Sequence, residues 1–409
     1  MSASSAVPLY PEITPPTDAG LPELPRLFDG GWVWAAARAN LASLAGWDVA
    51  PDHVVVRQFS HNPGRSGTVS YLADWDPEAS LPSVIFTCRL DTGRPPAFSS
   101  YPDDRALPGL PRAARADEAV GLVNRHVFRV PRRTLRVDMV RYRPGSRAVL
   151  RHRTGRIRLY VRVMRPAAIP NLLSAAEIVG RSEFAAPRVA GCWEDGGVVW
   201  LSEIPGRNVR ELVRRRRPPH PEVLLDGLAS LWALPLPSDG RRPFDLQGAY
   251  RRAKRTFRHH LGSDDEERRI VDAVVSSLEP FARSWGPSVT AHNDFYDDQM
   301  LQLPDGRVAL VDFEEAGPGD PMLDVGNFLA HLRWASRFGR GRRRAASGEY
   351  YHRFRSAALD RHGWSERELG LREGICLFRV ATNAIRRLDQ GWRERAVSGL
   401  AMVDALLAS

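Results

Sequence analysis

Two short acidic segments separated by a tight turn constrain this 409-residue chain more than any other feature. The first is Ala291-His292-Asn293-Asp294-Phe295-Tyr296-Asp297-Asp298-Gln299-Met300-Leu301. The second is Ala309-Leu310-Val311-Asp312-Phe313-Glu314-Glu315-Ala316-Gly317. Between them Pro304-Asp305-Gly306 is a strong turn signal, so strands are expected over 299–303 and 308–313. A hairpin returns its two ends to one rim. Asp294 and Asp312, 18 residues apart, are therefore expected side by side. The apolar Ala309-Leu310-Val311 reads as a buried strand that mounts Asp312 rigidly. Two carboxylates so placed suit phosphoryl transfer. One orients a hydroxyl and accepts its proton, and the other holds the Mg²⁺ that bridges nucleotide phosphates.

The remainder of the chain divides by periodicity. Residues 1–30 begin with a Ser- and Pro-rich stretch and are expected to be loose. A helical pattern follows over Trp32 to Leu44, then strand patterns at 54–59, 68–71 and 84–87. A similar set recurs at 137–142, 148–152 and 158–163. Asn62-Pro63-Gly64-Arg65 and Arg143-Pro144-Gly145-Ser146 stand at matching turns. The two sets read as a weak repeat of one β-meander, with two unrelated hairpins as the alternative. Helical patterns then cover 171–184, 208–234 and 324–407, with a strand at 198–203 ended by Pro205-Gly206. The expected units are a loose segment over 1–30 and an accessory subdomain over 31–126. A β-rich lobe over 127–206 and a helical lobe over 207–409 complete the division. This is an α+β plan with a sheet-rich front and a helical back.

The composite His-x-Asp, Gln five positions after that Asp, and Asp-Phe-Glu-x-Ala-Gly-x-Gly-Asp-Pro-x-x-Asp from Asp312 to Asp324 resembles the aminoglycoside phosphotransferase superfamily of small-molecule kinases. The resemblance implies a protein-kinase-like two-lobed fold, with a β-rich N-lobe and a mostly helical C-lobe behind an extra N-terminal α/β segment. It implies Asp294 as catalytic base, His292 as a brace of the catalytic loop, and Asp312 and Gln299 as Mg²⁺ ligands. Asp320 and Asp324 would cap or orient the segment after the metal loop. Nucleotide contacts are implied at Arg162, with Glu177 as its ion-pair partner, at the Gly145 turn, and along the backbone of Glu203 and Ile204. The implied reaction moves the γ-phosphate of ATP or GTP to a hydroxyl of a sugar, antibiotic or related metabolite.

The sequence departs from the family pattern at three places. Asn293 stands where Gly is usual, and Gln299 where a metal-binding Asn is usual, with Asp298 as an alternative ligand. Arg162 stands where Lys is usual. Gln keeps the amide oxygen that a hard cation prefers, and Arg offers phosphate a planar fork. These departures, together with a Gly-poor phosphate turn, support an alternative: a kinase-like protein of little or no activity that binds nucleotide or a partner.

The formal charge is +10, carried almost wholly by Arg, with runs at 214–217 and 340–344. Neither run is interleaved with aromatic residues as a nucleic-acid stacking platform would be, so no nucleic-acid partner is expected. No apolar run approaches a membrane span. Cys88, Cys192 and Cys376 lie far apart, without metal or disulfide spacing, which points to a reducing cytoplasm. Basic helices argue against a polycationic aminoglycoside as acceptor. Trp232, Tyr250, Trp334 and Trp392 are aromatic surfaces available to an acceptor pocket, or equally to the core.

Overall fold

A computed structural model of the protein describes residues 7–11, 15–44, 49–76, 81–131, 134–238, 240–388 and 391–408. Strands β1 (Leu9–Tyr10), β2 (His53–Asn62), β3 (Ser66–Asp74), β4 (Val84–Asp91) and β5 (Ala97–Ser100) form one sheet in sequence order. β1 runs parallel to β2, and the other pairs are antiparallel. Helix α1 (Gly30–Asn40) covers this sheet, capped by the Asp29 carboxylate that accepts from the Trp32 amide. It stops at Asn40, short of the expected Leu44, because a 3₁₀ turn takes over at 42–44.

The stretch expected to be loose is instead packed in its described residues. Val7, Leu21, Leu24 and Leu27 are buried against β2, β3 and β4. Residues 1–6 and 12–14 lie outside the described residues.

A second sheet follows helices α2 (Leu110–Ala114) and α3 (Ala116–His126). It contains β6 (Arg136–Arg143), β7 (Arg147–Thr154), β8 (Ile157–Met164), β9 (Val189–Trp193) and β10 (Val198–Ser202), in the order β6-β7-β8-β10-β9. Leu110, Ala119, Leu122 and Val123 share a core with Leu150, Val161 and Trp200 of this sheet. The boundary expected after residue 126 is therefore corrected to one near residue 100, because α2 and α3 belong with the second sheet. His152 lies in this core. Its Nε2–H donates to the Ala113 carbonyl at 2.9 Å, and its Nδ1 accepts from Trp200 Nε1 at 3.3 Å.

The two sheets share one local plan. Asp18-Ala19-Gly20-Leu21-Pro22-Glu23-Leu24-Pro25-Arg26 precedes the first, and Asp104-Arg105-Ala106-Leu107-Pro108-Gly109-Leu110-Pro111-Arg112 the second. In each, the Asp accepts from the amide two residues on, Gly20 or Ala106, at 2.9 Å. Its other oxygen accepts at 2.7 Å from the turn glycine, Gly64 or Gly145, both with φ of 69°. A side chain three residues before that glycine also donates to it: His61 at 2.8 Å, Tyr142 at 2.9 Å. Only Gly adopts this left-handed conformation without strain.

After α4 (Ile169–Gly180) and the linker at 203–206, the chain enters the helical lobe. α4 stops short of the expected Phe184. β11 (Arg207–Asn208), α5 (Val209–Arg214) and α6 (Pro221–Trp232) follow, the last two separated by Pro218-Pro219. Next come α7 (Leu246–Leu261), α8 (Asp265–Ser284), β12 (Val289–Ala291), β13 (Met300–Gln302), β14 (Val308–Leu310) and β15 (Gly317–Gly319). α9 (Pro321–Phe338), α10 (Arg342–His362), α11 (Glu366–Arg387) and α12 (Trp392–Ala408) complete the lobe. Among the described residues no helix is long and apolar enough to cross a membrane.

The first sheet is clamped to this lobe. His61 Nδ1 lies 3.2 Å from His260 Nε2 on α7, and Arg255 donates to Asn62 Oδ1 at 3.1 Å. Burial lowers the pKa of both rings, which favours their neutral forms. Burial pulls the pKa of His152 down to about 4 and that of His260 down to about 3. Each therefore binds fewer protons folded than unfolded. Their stabilisation is complete above about 6.5 and is lost as pH falls, by up to ~1.4 kcal/mol per pH unit for each group. Tm measured from pH 7.5 to 4.5 is expected to decline below pH 6.5. His152→Gln, which cannot titrate, is expected to lower Tm at pH 7.5 and to flatten that decline.

Candidate active site

The hairpin β13–β14 pairs Met300 with Leu310 and brings its two ends to one rim, as the spacing predicts. Asp294 precedes it and Asp312 follows it. The loop that carries Asp294 is held from behind by Asp324, a buried carboxylate on α9. One Asp324 oxygen accepts from the Asn293 amide at 2.7 Å. The other accepts from the His292 amide at 2.9 Å and from Trp232 Nε1 at 3.0 Å. Asp320 caps α9, accepting from the Met322 and Leu323 amides at 2.8 and 3.3 Å.

Asn293 explains its own departure from Gly. Its φ is 65°, a left-handed value that Asn tolerates better than most residues. Its side-chain amide donates to the Glu315 and Gly317 carbonyls at 3.0 and 3.3 Å, tying the Asp294 loop to the Asp312 segment. His292 is fully buried, and its Nδ1 accepts from the Asp294 amide at 3.3 Å. Burial pulls its pKa down to about 4 against the pull of the Asp312 charge, so the ring is neutral.

Asp294 sits in a desolvated position. Burial pushes its pKa up to about 7; Arg379 opposes the shift, and the Asp312 and Glu315 charges add to it. The Gln299 amide nitrogen donates to Asp294 Oδ2 at 3.3 Å. Asp312 faces two arginines of the second sheet. Arg147 donates to both its oxygens, at 3.3 and 3.2 Å, and Arg162 Nη2 lies 3.5 Å from Oδ1. Both arginines also reach Glu314, at 2.8 and 3.3 Å. Burial works against the Asp312 charge, and Arg162 and Arg147 more than offset it, holding the carboxyl below its usual range. Asp312 and Glu314 are thus the C-lobe half of a charge cluster that spans the cleft.

Several expected placements need correction. Arg162 does not pair with Glu177. Its Nη2 donates to the Val311 carbonyl at 2.7 Å and its fork faces Asp312 and Glu314. Glu177 is exposed on α4 and forms no ion pair among the described residues. The Gly145 amide is committed to Asp104, so this turn does not present that N–H to the cleft. Asp298 is bound by Arg210 at 2.8 Å, which ties it to α5. Glu203 and Ile204 lie on the linker between β10 and β11, where the Glu203 amide donates to the Arg158 carbonyl at 3.3 Å.

Arg147, Glu314 and Arg379 were not among the sequence candidates. Glu314 is two residues beyond Asp312, and alternate residues of an extended segment point the same way, which is a usable signal. Arg147 follows the Pro-Gly turn at the head of β7. Arg379 lies mid-helix and carries no local signal.

A cavity of about 820 Å³ opens beside Asp294. Its walls include Phe59 to Pro63 of the first sheet, Arg143 of β6, Tyr296, and Trp334 of α9. Tyr296 and His331 stack within it, ring centroids 4.0 Å apart. Of the other aromatic candidates, Tyr250 and Trp232 pack into the core clusters, and Trp392 lies against His260.

A model of the phosphotransferase enzyme family matches residues 139–363, more than half of the chain, and the chain belongs to that family. It is accordingly a phosphotransferase with a protein-kinase-like, two-lobed fold. Among solved structures it is similar to choline kinase from Cryptosporidium parvum Iowa II, at 11% identity and a TM-score of 0.50. That alignment covers 71% of this chain and 96% of the other. It is also similar to a Plasmodium vivax ethanolamine kinase, at 11% identity over 71% and 95% of the two chains, with a TM-score of 0.44. A thermostable mutant of aminoglycoside phosphotransferase APH(4)-Ia gives 17% identity over 67% and 94%, with a TM-score of 0.46. No curated protein matches the chain.

Asn293→Gly keeps the backbone conformation and loses the two amide hydrogen bonds, for an expected cost of about 1–3 kcal/mol. Asn293→Val adds a β-branched side chain in the left-handed region and is expected to cost more. Urea unfolding of the parent and both variants checks the order.

Proposed function

We propose that this phosphotransferase moves the γ-phosphate of ATP or GTP to a hydroxyl of a small molecule, with Asp294 as the base. The observation that carries the reading is a half-buried carboxylate, its pKa raised to about 7, at the wall of a large cavity and across the hairpin from Asp312. A base with a pKa near the working pH combines a useful ionised fraction with a useful driving force for proton transfer. Asp294 takes the acceptor's hydroxyl proton as the acceptor oxygen bonds to the γ-phosphorus. The bond from that phosphorus to the β–γ bridging oxygen breaks, and the nucleoside diphosphate leaves with the electron pair. His292 and Asp324 act through the loop backbone and keep Asp294 aimed at the cavity.

Arg147 and Arg162 would bind nucleotide phosphates by the forks they now give to Asp312 and Glu314. Asp312 offers a carboxylate and Gln299 an amide carbonyl, oxygen ligands of the kind the hard Mg²⁺ ion takes. Asp312 and Gln299 would hold that ion, which when bound neutralises charge building on the phosphates. The linker at Glu203 and Ile204 supplies the backbone edge that a nucleotide base would meet.

A second reading, a kinase-like binder of little or no activity, is favoured by the same arginine forks, which now occupy Asp312. Turnover decides between the two readings. Asp294→Asn is expected to leave nucleotide affinity nearly unchanged and to lower transfer by ~10²-fold or more. In the parent, kcat/KM should fall tenfold per pH unit below about 7, as the base becomes protonated. Asp312→Ala should abolish Mg²⁺-dependent turnover. A parent that binds nucleotide and transfers phosphate to nothing across a panel of hydroxylated compounds would establish the second reading.

Gln299 is tested by two replacements. Gln299→Asn keeps an amide oxygen on a shorter arm and should keep substantial activity. Gln299→Leu offers no oxygen and should raise the Mg²⁺ requirement before nucleotide affinity changes. Titrating Mg²⁺ against turnover in both variants checks this, and a Gln299→Leu variant that behaves like the parent would remove Gln299 from the site.

A further inference from the structure

The large cavity beside Asp294 is unusually basic. Nine arginines line it against two carboxylates, Asp294 and Asp298. Arg210 and Arg343 face Asp297, and Arg210 also binds Asp298. Arg141 and Arg143 form no ion pair among the described residues. A second cavity of about 250 Å³ lies between the two sheets and the helical lobe. It shares Arg141, Arg143, Asn383 and Arg386 with the first, adds Arg57 from β2, and is lined by no carboxylate.

Like charges crowd at this junction. Burial, together with Arg141, Arg147 and Arg386, pulls the Arg143 pKa down to about 10 against the opposing Asp312 charge. Cations crowded on one wall repel one another unless an anion answers them, the more so where burial desolvates one of them, as it does Arg143. Arg is the side chain best shaped for that anion, since its planar fork matches two oxygens of a phosphate or carboxylate. The nucleotide phosphates do not supply it on the reading given above, which places them at Arg147, Arg162 and Asp312. The large cavity opens on Asp294 instead.

We propose that the acceptor carries an anionic group, a phosphate or a carboxylate, bound by Arg57, Arg141 and Arg143 where the two cavities meet, while its hydroxyl faces Asp294. The proposal rests on the reading of Asp294 as the base. It also gives the first sheet a function: β2 contributes Arg57 to the anion site, and its turn closes the large cavity. A polycationic acceptor would meet repulsion from the same wall.

The test uses the full chain with its nucleotide site saturated by AMP-PNP and Mg²⁺. Glycerol 3-phosphate, glycerate and glycerol, one small skeleton with three head groups, are titrated by calorimetry. At least one anion is expected to bind, glycerol is not, and added NaCl should weaken the binding. Tighter binding of glycerol 3-phosphate identifies a phosphate site; tighter binding of glycerate identifies a carboxylate site. Arg141 is exposed on β6 and outside the core clusters, so its replacement does not disturb the core. Arg141→Gln should weaken the anion roughly tenfold, and Arg141→Lys less, as expected for loss of one charge-assisted contact. If AMP-PNP binds and the anions do not, or glycerol binds equally well, the acceptor assignment falls alone. Anion affinity unchanged in Arg141→Gln has the same consequence. If AMP-PNP itself does not bind, the phosphotransfer reading falls and takes the acceptor assignment with it.

Discussion

Asp324 is a carboxylate with no access to solvent, and it spends its two oxygens on the backbone amides of His292 and Asn293 and on the Trp232 indole. Burial pushes its pKa up to about 6, against the three donors that favour its charge. A buried carboxylate is tolerable only when its lone pairs are answered, so the loop and helix α9 must keep their relative positions. The direction of Asp294 follows from that loop. Asn293 then extends the tie to the Glu315 and Gly317 carbonyls, so the segments carrying Asp294 and Asp312 are set by one hydrogen-bonded unit.

The cleft is a second electrostatic unit. Arg147 and Arg162 of the second sheet face Asp312 and Glu314 of the helical lobe, all largely out of solvent. Removing one member would leave an uncompensated charge, which costs far more than an exposed pair is worth. The two lobes are thereby joined through the residues to which the proposed function assigns nucleotide phosphates and a cation.

The repeated plan of the two sheets shows how similar local chemistry serves different ends. Each Pro-Gly turn is held by an upstream Asp that accepts the glycine amide at 2.7 Å. The second turn stands beside the Asp312 cluster, through Arg143 and Arg147 on either side of it. The first turn reaches α7 and walls the cavity next to Asp294. The difference lies in what each sheet rests on, since the hydrogen bonds that shape the two turns are alike.

The hairpin between Asp294 and Asp312 was legible from the sequence, because a Pro-Asp-Gly turn between apolar runs leaves little choice of pairing. Most strands of the two sheets were legible for similar local reasons; α9 begins at Pro321, ahead of the helical pattern expected from 324, because Asp320 caps it. The partners of the charged residues were not legible. Arg162 was expected to meet Glu177 and instead meets Asp312 and Glu314, because the sheet faces the hairpin rather than α4 at that point. The extent of the second unit was not legible for the same reason: only packing assigns α2 and α3 to the second sheet. The junction of Arg57, Arg141 and Arg143 draws on strands some 80 residues apart. Local pattern determines which residues form a strand and which face they occupy; what that face meets is decided by contacts between elements distant in the chain.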